Sequence, residues 1–173
     1  MLELGKAGTL GAEKGVFPVV SDGAVVGGLR TASWRRAAGA TLGDSNLVFS
    51  RSRSRLVGRR EERSIGEPRM WVDASLWRSS WSGSLHGRRV TVDAVSQRRG
   101  IYRYEEVAGA AVGTSGSSGR WRPRPTLTVQ GSVPLEEQVF LLWVLMVAGW
   151  KFQRSGPAPW VAGAFAAVVG GSS

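Results

Sequence analysis

The stretch PLEEQVFLLWVLMVAGWKF, Pro134 to Phe152, decides the fold, because Val139 to Trp150 contains no charged, amide or hydroxyl side chain. An α-helix rises about 1.5 Å per residue, so these twelve residues extend roughly 18 Å. The hydrocarbon core of a bilayer is about 30 Å thick. Lengthening the run brings in Glu136, Glu137, Gln138 and Lys151, and a charge at depth costs on the order of 2 to 3 kcal/mol. The run is therefore too short to span, and a helix apolar around its whole circumference must be enclosed by protein when it lies outside a membrane. Pro134 and the carboxylates of Glu136 and Glu137 open the helix at its positive end, while Gly149 and then Gly156-Pro157 supply the stop.

The material available for enclosure precedes it. From Val16 to about Gln130, short apolar segments alternate with Gly, Asp, Ser and Pro every eight to twelve residues, the spacing of strands joined by turns. In VFPVVSDGAVVGGLR the Asp22-Gly23 pair suits the positive φ angles of a tight hairpin. In NLVFSRSRSRLVGRR, Arg51, Arg53 and Arg55 alternate with Ser50, Ser52 and Ser54; read as one strand, this lines three guanidinium groups along one face. Residues 69–76, 89–95, 101–105, 110–114 and 125–130 are further strand candidates. VGTSGSSGRWRPRP, 112–125, predicts an exposed hairpin tip and an edge strand, since proline lacks the N–H an interior strand donates.

Together these segments predict a mainly β protein in which a closed β-barrel wraps the hydrophobic C-terminal helix. Closure removes sheet edges and gives every strand an inward face. The expected organisation is an N-terminal segment over 1–15, a barrel over 16–153 with its central helix at 135–152, and an apolar Gly/Pro/Ala-rich tail over 154–173. Trp143 and Trp150, once enclosed, call for hydrogen-bond partners.

The Trp34-Arg35-Arg36 step, the Tyr102-Arg103-Tyr104 strand and PLEEQVFLLWVLMVAGW resemble bacterial members of the tubby C-terminal-like superfamily, which includes phospholipid scramblases and LURP-one-related proteins. The resemblance covers about Val16 to Phe152. It implies about twelve strands around a central helix, without a catalytic signature, and phosphoinositide binding or membrane association. The scramblases' cysteine-rich stretch and acidic calcium loop have no counterpart here, so lipid scrambling does not follow.

Composition narrows the chemistry. Cysteine is absent, which removes disulfides, thiolate metal sites and thiol nucleophiles. The one histidine, His86, reads as a solvent-facing turn residue and leaves imidazole-based metal or triad chemistry with little to build on. Asp73 and Asp93 sit in separate strand candidates, and the Glu61-Glu62 and Glu105-Glu106 pairs lie among arginines. The glycine-rich pieces match no phosphate loop. No cofactor and no enzymatic activity are expected.

The net charge is +10, and twenty of the twenty-three basic residues are arginine. Such a field draws anions before any specific contact forms. The expected anion-binding residues are Arg51, Arg53, Arg55, Arg59, Arg60 and Arg63, read as one basic face, with Arg120, Arg122 and Arg124 around Trp121. A solvated outer barrel face explains the same arginines without a ligand. Trp121 and Trp160, the latter at the head of the tail, are the expected membrane contacts. Anionic phospholipid is the first partner, nucleic acid the second. The N-terminus does not read as a secretory signal, so the expected location is cytoplasmic, peripheral to the membrane. A membrane-anchored alternative folds 135–150 and 160–169 into a hairpin within the bilayer.

Overall fold

A computed structural model describes residues 1–33, 37–63, 68–73, 80–96, 101–107, 109–118 and 124–152. The strands are β1 (Leu2–Leu4), β2 (Val16–Ser21), β3 (Ala24–Ser33), β4 (Ala37–Leu42), β5 (Ser45–Ser52), β6 (Arg55–Arg60), β7 (Met70–Asp73), β8 (Ser80–Leu85), β9 (Arg88–Ser96), β10 (Ile101–Glu106), β11 (Ala111–Ser118) and β12 (Arg124–Val129). They are followed by helix α1 (Leu135–Phe152). Every strand pairs antiparallel with its sequence neighbours, and β1 pairs with both β12 and β2, which closes a barrel of twelve strands.

The expected barrel and central helix are both present, with two differences at the barrel's seam. Residues 2–4 belong to the barrel and do not precede it: β1 supplies the closing pair Leu2↔Leu127, and its three residues were too few to register as a strand. The Gly/Ser stretch expected as a hairpin tip is itself strand β11 as far as Ser118, and the strand that follows it is not an edge. Within β12, Pro125 faces Ser117 on β11, and the pairs with β1 stop at Thr126, so its missing N–H falls just beyond the last rung.

Period-two alternation fills the interior. In β5, Leu47 and Phe49 are buried while Asn46, Val48 and Ser50 face out. Each of the twelve strands contributes to one core, through residues such as Leu2, Val19, Leu29, Leu56, Val72, Trp81, Val92, Tyr104, Val112 and Leu127. Along α1, every residue from Val139 to Ala148 is buried. Each such large apolar side chain contributes roughly 1.5 to 3 kcal/mol before chain entropy is counted.

The helix lies inside the barrel, because opposite walls touch it. Trp143 stacks on Phe49 of β5, with centroids 5.4 Å apart, while the Tyr104 hydroxyl of β10 points at the Leu141 carbonyl 3.5 Å away. Gly58 of β6 makes room for it: a Cβ there would sit 2.8 Å from Phe140 Cδ2 and 3.0 Å from Met70 Cε. Among the described residues, the partner expected for the Trp143 indole N–H is not found: both Trp143 Nε1 and Tyr102 Oη are buried without a hydrogen bond there.

Antiparallel order sends successive connections to alternate ends of the barrel. One end, the helix-start rim, gathers residues 22–23, 43–44, 61–63, 68–69, 86–87, 107, 109–110 and 130–134. The other, the helix-end rim, gathers 5–15 and 53–54 with the facing ends of β3, β4 and β7 to β12.

Candidate functional site: the two rims of the barrel

The helix-start rim holds a cleft of about 840 Å³, lined by Leu42, Arg60, Arg69, His86, Arg88 and the first turn of α1. Its charges meet at that turn. Glu137 is almost wholly buried, at 1% exposure. One of its oxygens is bonded to His86 Nδ1 at 2.8 Å and the other accepts from Arg88, whose guanidinium also reaches Glu106 at 2.5 Å. Next to it, Glu136 is paired with Arg60 at 2.6 Å. A carboxylate this deep requires both an opposite charge and filled lone pairs; Arg88 at the start of β9 and His86 in the turn before it supply them. His86 is an exposed turn residue, as expected, but it is also bonded to the helix. It takes a positive φ of 47° in the β8–β9 turn, next to Gly87 at 89°, and its ring reaches the helix. This cluster clamps the start of α1. Among the described residues no group of three His, Asp or Glu side chains could hold a metal.

Arg51 to Arg63, expected as one basic face, are divided between the two rims. Arg53 lies in a two-residue turn between the paired Ser52 and Arg55, so Arg51, Arg53 and Arg55 crown a hairpin at the helix-end rim instead of lining one strand. Arg59 and Arg60 lie at the other end of β6, and Arg63 follows in a short 3-10 turn over Glu61–Arg63. Five residue steps along β6 separate the groups, roughly 17 Å. Alternating Arg and Ser look the same in a strand and across a hairpin, which is why the pattern misled.

At the helix-end rim, some cations are neutralised and others are not. Arg55 pairs with Asp73 at 2.8 Å and lies 4.6 Å from the Trp71 ring centroid, a cation–π distance. Arg30 pairs with Glu13. Arg51 donates from Nε to the Arg53 carbonyl at 3.2 Å. Lys6, Lys14, Arg51 and Arg53 have no carboxylate within ion-pair distance among the described residues. Lys6 and Lys14 were not among the expected site residues, because only barrel closure brings 5–15 to this end. The helix-start connections include Asp22, Asp44, Glu61 and Glu62.

Of the remaining expected residues, Arg124 opens β12 at the helix-end rim. Arg120, Trp121, Arg122 and Trp160, with the whole tail from 154, lie outside the described residues. Among those described, no helix is long and apolar enough to cross a membrane, and α1, sheathed by strands, cannot serve as an arm of a bilayer hairpin. Comparison with known proteins adds nothing to this picture: the chain matches no protein family, no curated protein and no solved structure.

Proposed function

We propose that the protein is a non-enzymatic binding module with affinity for anionic surfaces, phospholipid membranes first, working from the cytoplasmic side. The observation that carries this reading is the uneven neutralisation of charge. Among the described residues, carboxylates occupy Arg60 and Arg88 beside the helix start and leave Arg69 and Arg89 of that rim without an ion pair, whereas at the opposite rim Lys6, Lys14, Arg51 and Arg53 all lack a carboxylate within ion-pair distance. Each basic group near an anionic leaflet adds about 1 kcal/mol of attraction, falling off within a Debye length of about 8 to 10 Å. Planar guanidinium groups also match phosphate oxygens in pairs.

A place among tubby-like proteins belongs to the same proposal. Its support is the residue pattern named above and a barrel around a central helix, the architecture that resemblance implies. No sequence match stands behind it.

Sedimentation with liposomes tests the function. Binding is expected to rise with the fraction of anionic lipid and to fall steeply with added salt. Binding indifferent to both, or no binding, would count against it.

A further inference from the structure

The barrel has four two-residue hairpin turns, between Ser21 and Ala24, Leu42 and Ser45, Ser52 and Arg55, and Leu85 and Arg88. Each contains a residue with positive φ, and three of the four use glycine: Gly23, Gly43 and Gly87. The exception is the β5–β6 turn, where Arg53 stands at φ 52°, nearly the angle of Gly43 at 55° in the equivalent first position. A left-handed backbone is unfavourable for a residue with a Cβ. Asp22 and His86 are also left-handed, at 48° and 47°, but the Asp22 carboxylate holds the Met1 amino group and the His86 ring has the Glu137 carboxylate as partner. Arg53 has no partner among the described residues that would offset the strain. Backbone strain kept at an exposed tip points to something outside the chain.

The surroundings of Arg53 fit that role. Its carbonyl accepts from Arg51 Nε, which ties the two sides of the tip together. Arg55 is held by Asp73 and the face of Trp71, so it stiffens the base of the hairpin and is already neutralised. Two nearby guanidinium groups, Arg51 and Arg53, thus project from a braced turn at the rim where Lys6 and Lys14 also lack an ion pair among the described residues.

We infer that the β5–β6 tip is a phosphate-contact site: Arg53, positioned by Arg51, seats on the headgroup phosphates of an anionic bilayer, so that the barrel docks end-on by its helix-end rim. This deepens the membrane reading above and depends on it.

The test compares wild type, Arg53→Gly and Arg89→Gln on vesicles with and without phosphatidylserine, together with thermal melting of each protein. Arg89 is an exposed residue near the opposite rim, and its substitution removes the same single charge. Arg53→Gly is expected to melt about 2 to 4 °C higher, as strain is relieved, and to bind the anionic vesicles about fivefold more weakly. Arg89→Gln should bind within twofold of wild type. If wild type ignores phosphatidylserine, the membrane reading itself fails. If wild type binds but Arg53→Gly binds equally well, or Arg89→Gln loses as much, the tip assignment is overturned. An Arg53→Gly protein that melts no higher than wild type removes the strain premise. A single-stranded oligonucleotide serves as the other anion: binding to it that drops in Arg53→Gly while vesicle binding does not would overturn the choice of lipid.

Discussion

Trp143 and Tyr102 place polar atoms in the core with no hydrogen-bond partner among the described residues, and a buried unpaired donor costs about 1 to 3 kcal/mol. The Trp143 ring earns its place by packing, against Phe49 at 5.4 Å and Phe140 at 6.1 Å between centroids. Trp143→Phe keeps an aromatic there and deletes the orphan N–H, so urea unfolding should show a loss of no more than about 1 kcal/mol. Trp143→Ala should lose about 3 to 5 kcal/mol to the cavity. Equal losses from both would mean the indole N–H has a partner. Burial also holds the phenols of Tyr102 and Tyr104, the chain's two tyrosines, neutral well above the ordinary value of 10.0. In the unfolded chain they ionise near that value, so their contribution is intact below about pH 10 and is lost as pH climbs beyond it. Phenolate absorbance should appear together with loss of β circular dichroism. Ionisation within a still-folded barrel would contradict their burial.

At the scale of elements, α1 is held by two unlike devices: apolar enclosure along its length and an ionic clamp on its first turn. Arg88 joins Glu137 of the helix to Glu106 of β10, and removing it strands a buried carboxylate with His86 as its remaining neighbour. Arg88→Met is therefore expected to cost about 3 kcal/mol or more in chemical denaturation, whereas Arg88→Met combined with Glu137→Leu should recover most of that loss. A double variant no better than the single one would argue that Glu137 is solvated. The helix itself was legible in the sequence, because an all-apolar stretch too short for a bilayer leaves enclosure as its remaining option. The clamp was not legible. Glu137 lies 51 residues from His86 and 49 from Arg88, and a carboxylate in a first helical turn reads as a dipole partner until a rim closes over it. The signal that existed was a second acid beside Glu136, directly before residues that had to be buried.

For the whole molecule, closure is what decides which distant residues come together. The Asp22-Gly23 hairpin and the alternation of β5 are local properties, visible without coordinates. Which connections share an end of the barrel is a consequence of antiparallel order, and it separates Arg53 from Arg60 while bringing Lys6 and Lys14 to the same rim as Arg53. Three-residue β1, invisible to any periodicity, is what completes the ring. The account therefore stands on α1 being sheathed by all twelve strands. Amide hydrogen exchange across Val139 to Ala148 measures this directly. These amides should exchange only through global unfolding, with the same free energy as those of Leu47 and Phe49 on β5 and Tyr104 on β10. Exchange of the helix at markedly lower free energy than these strand amides would mean that it leaves or never enters the barrel.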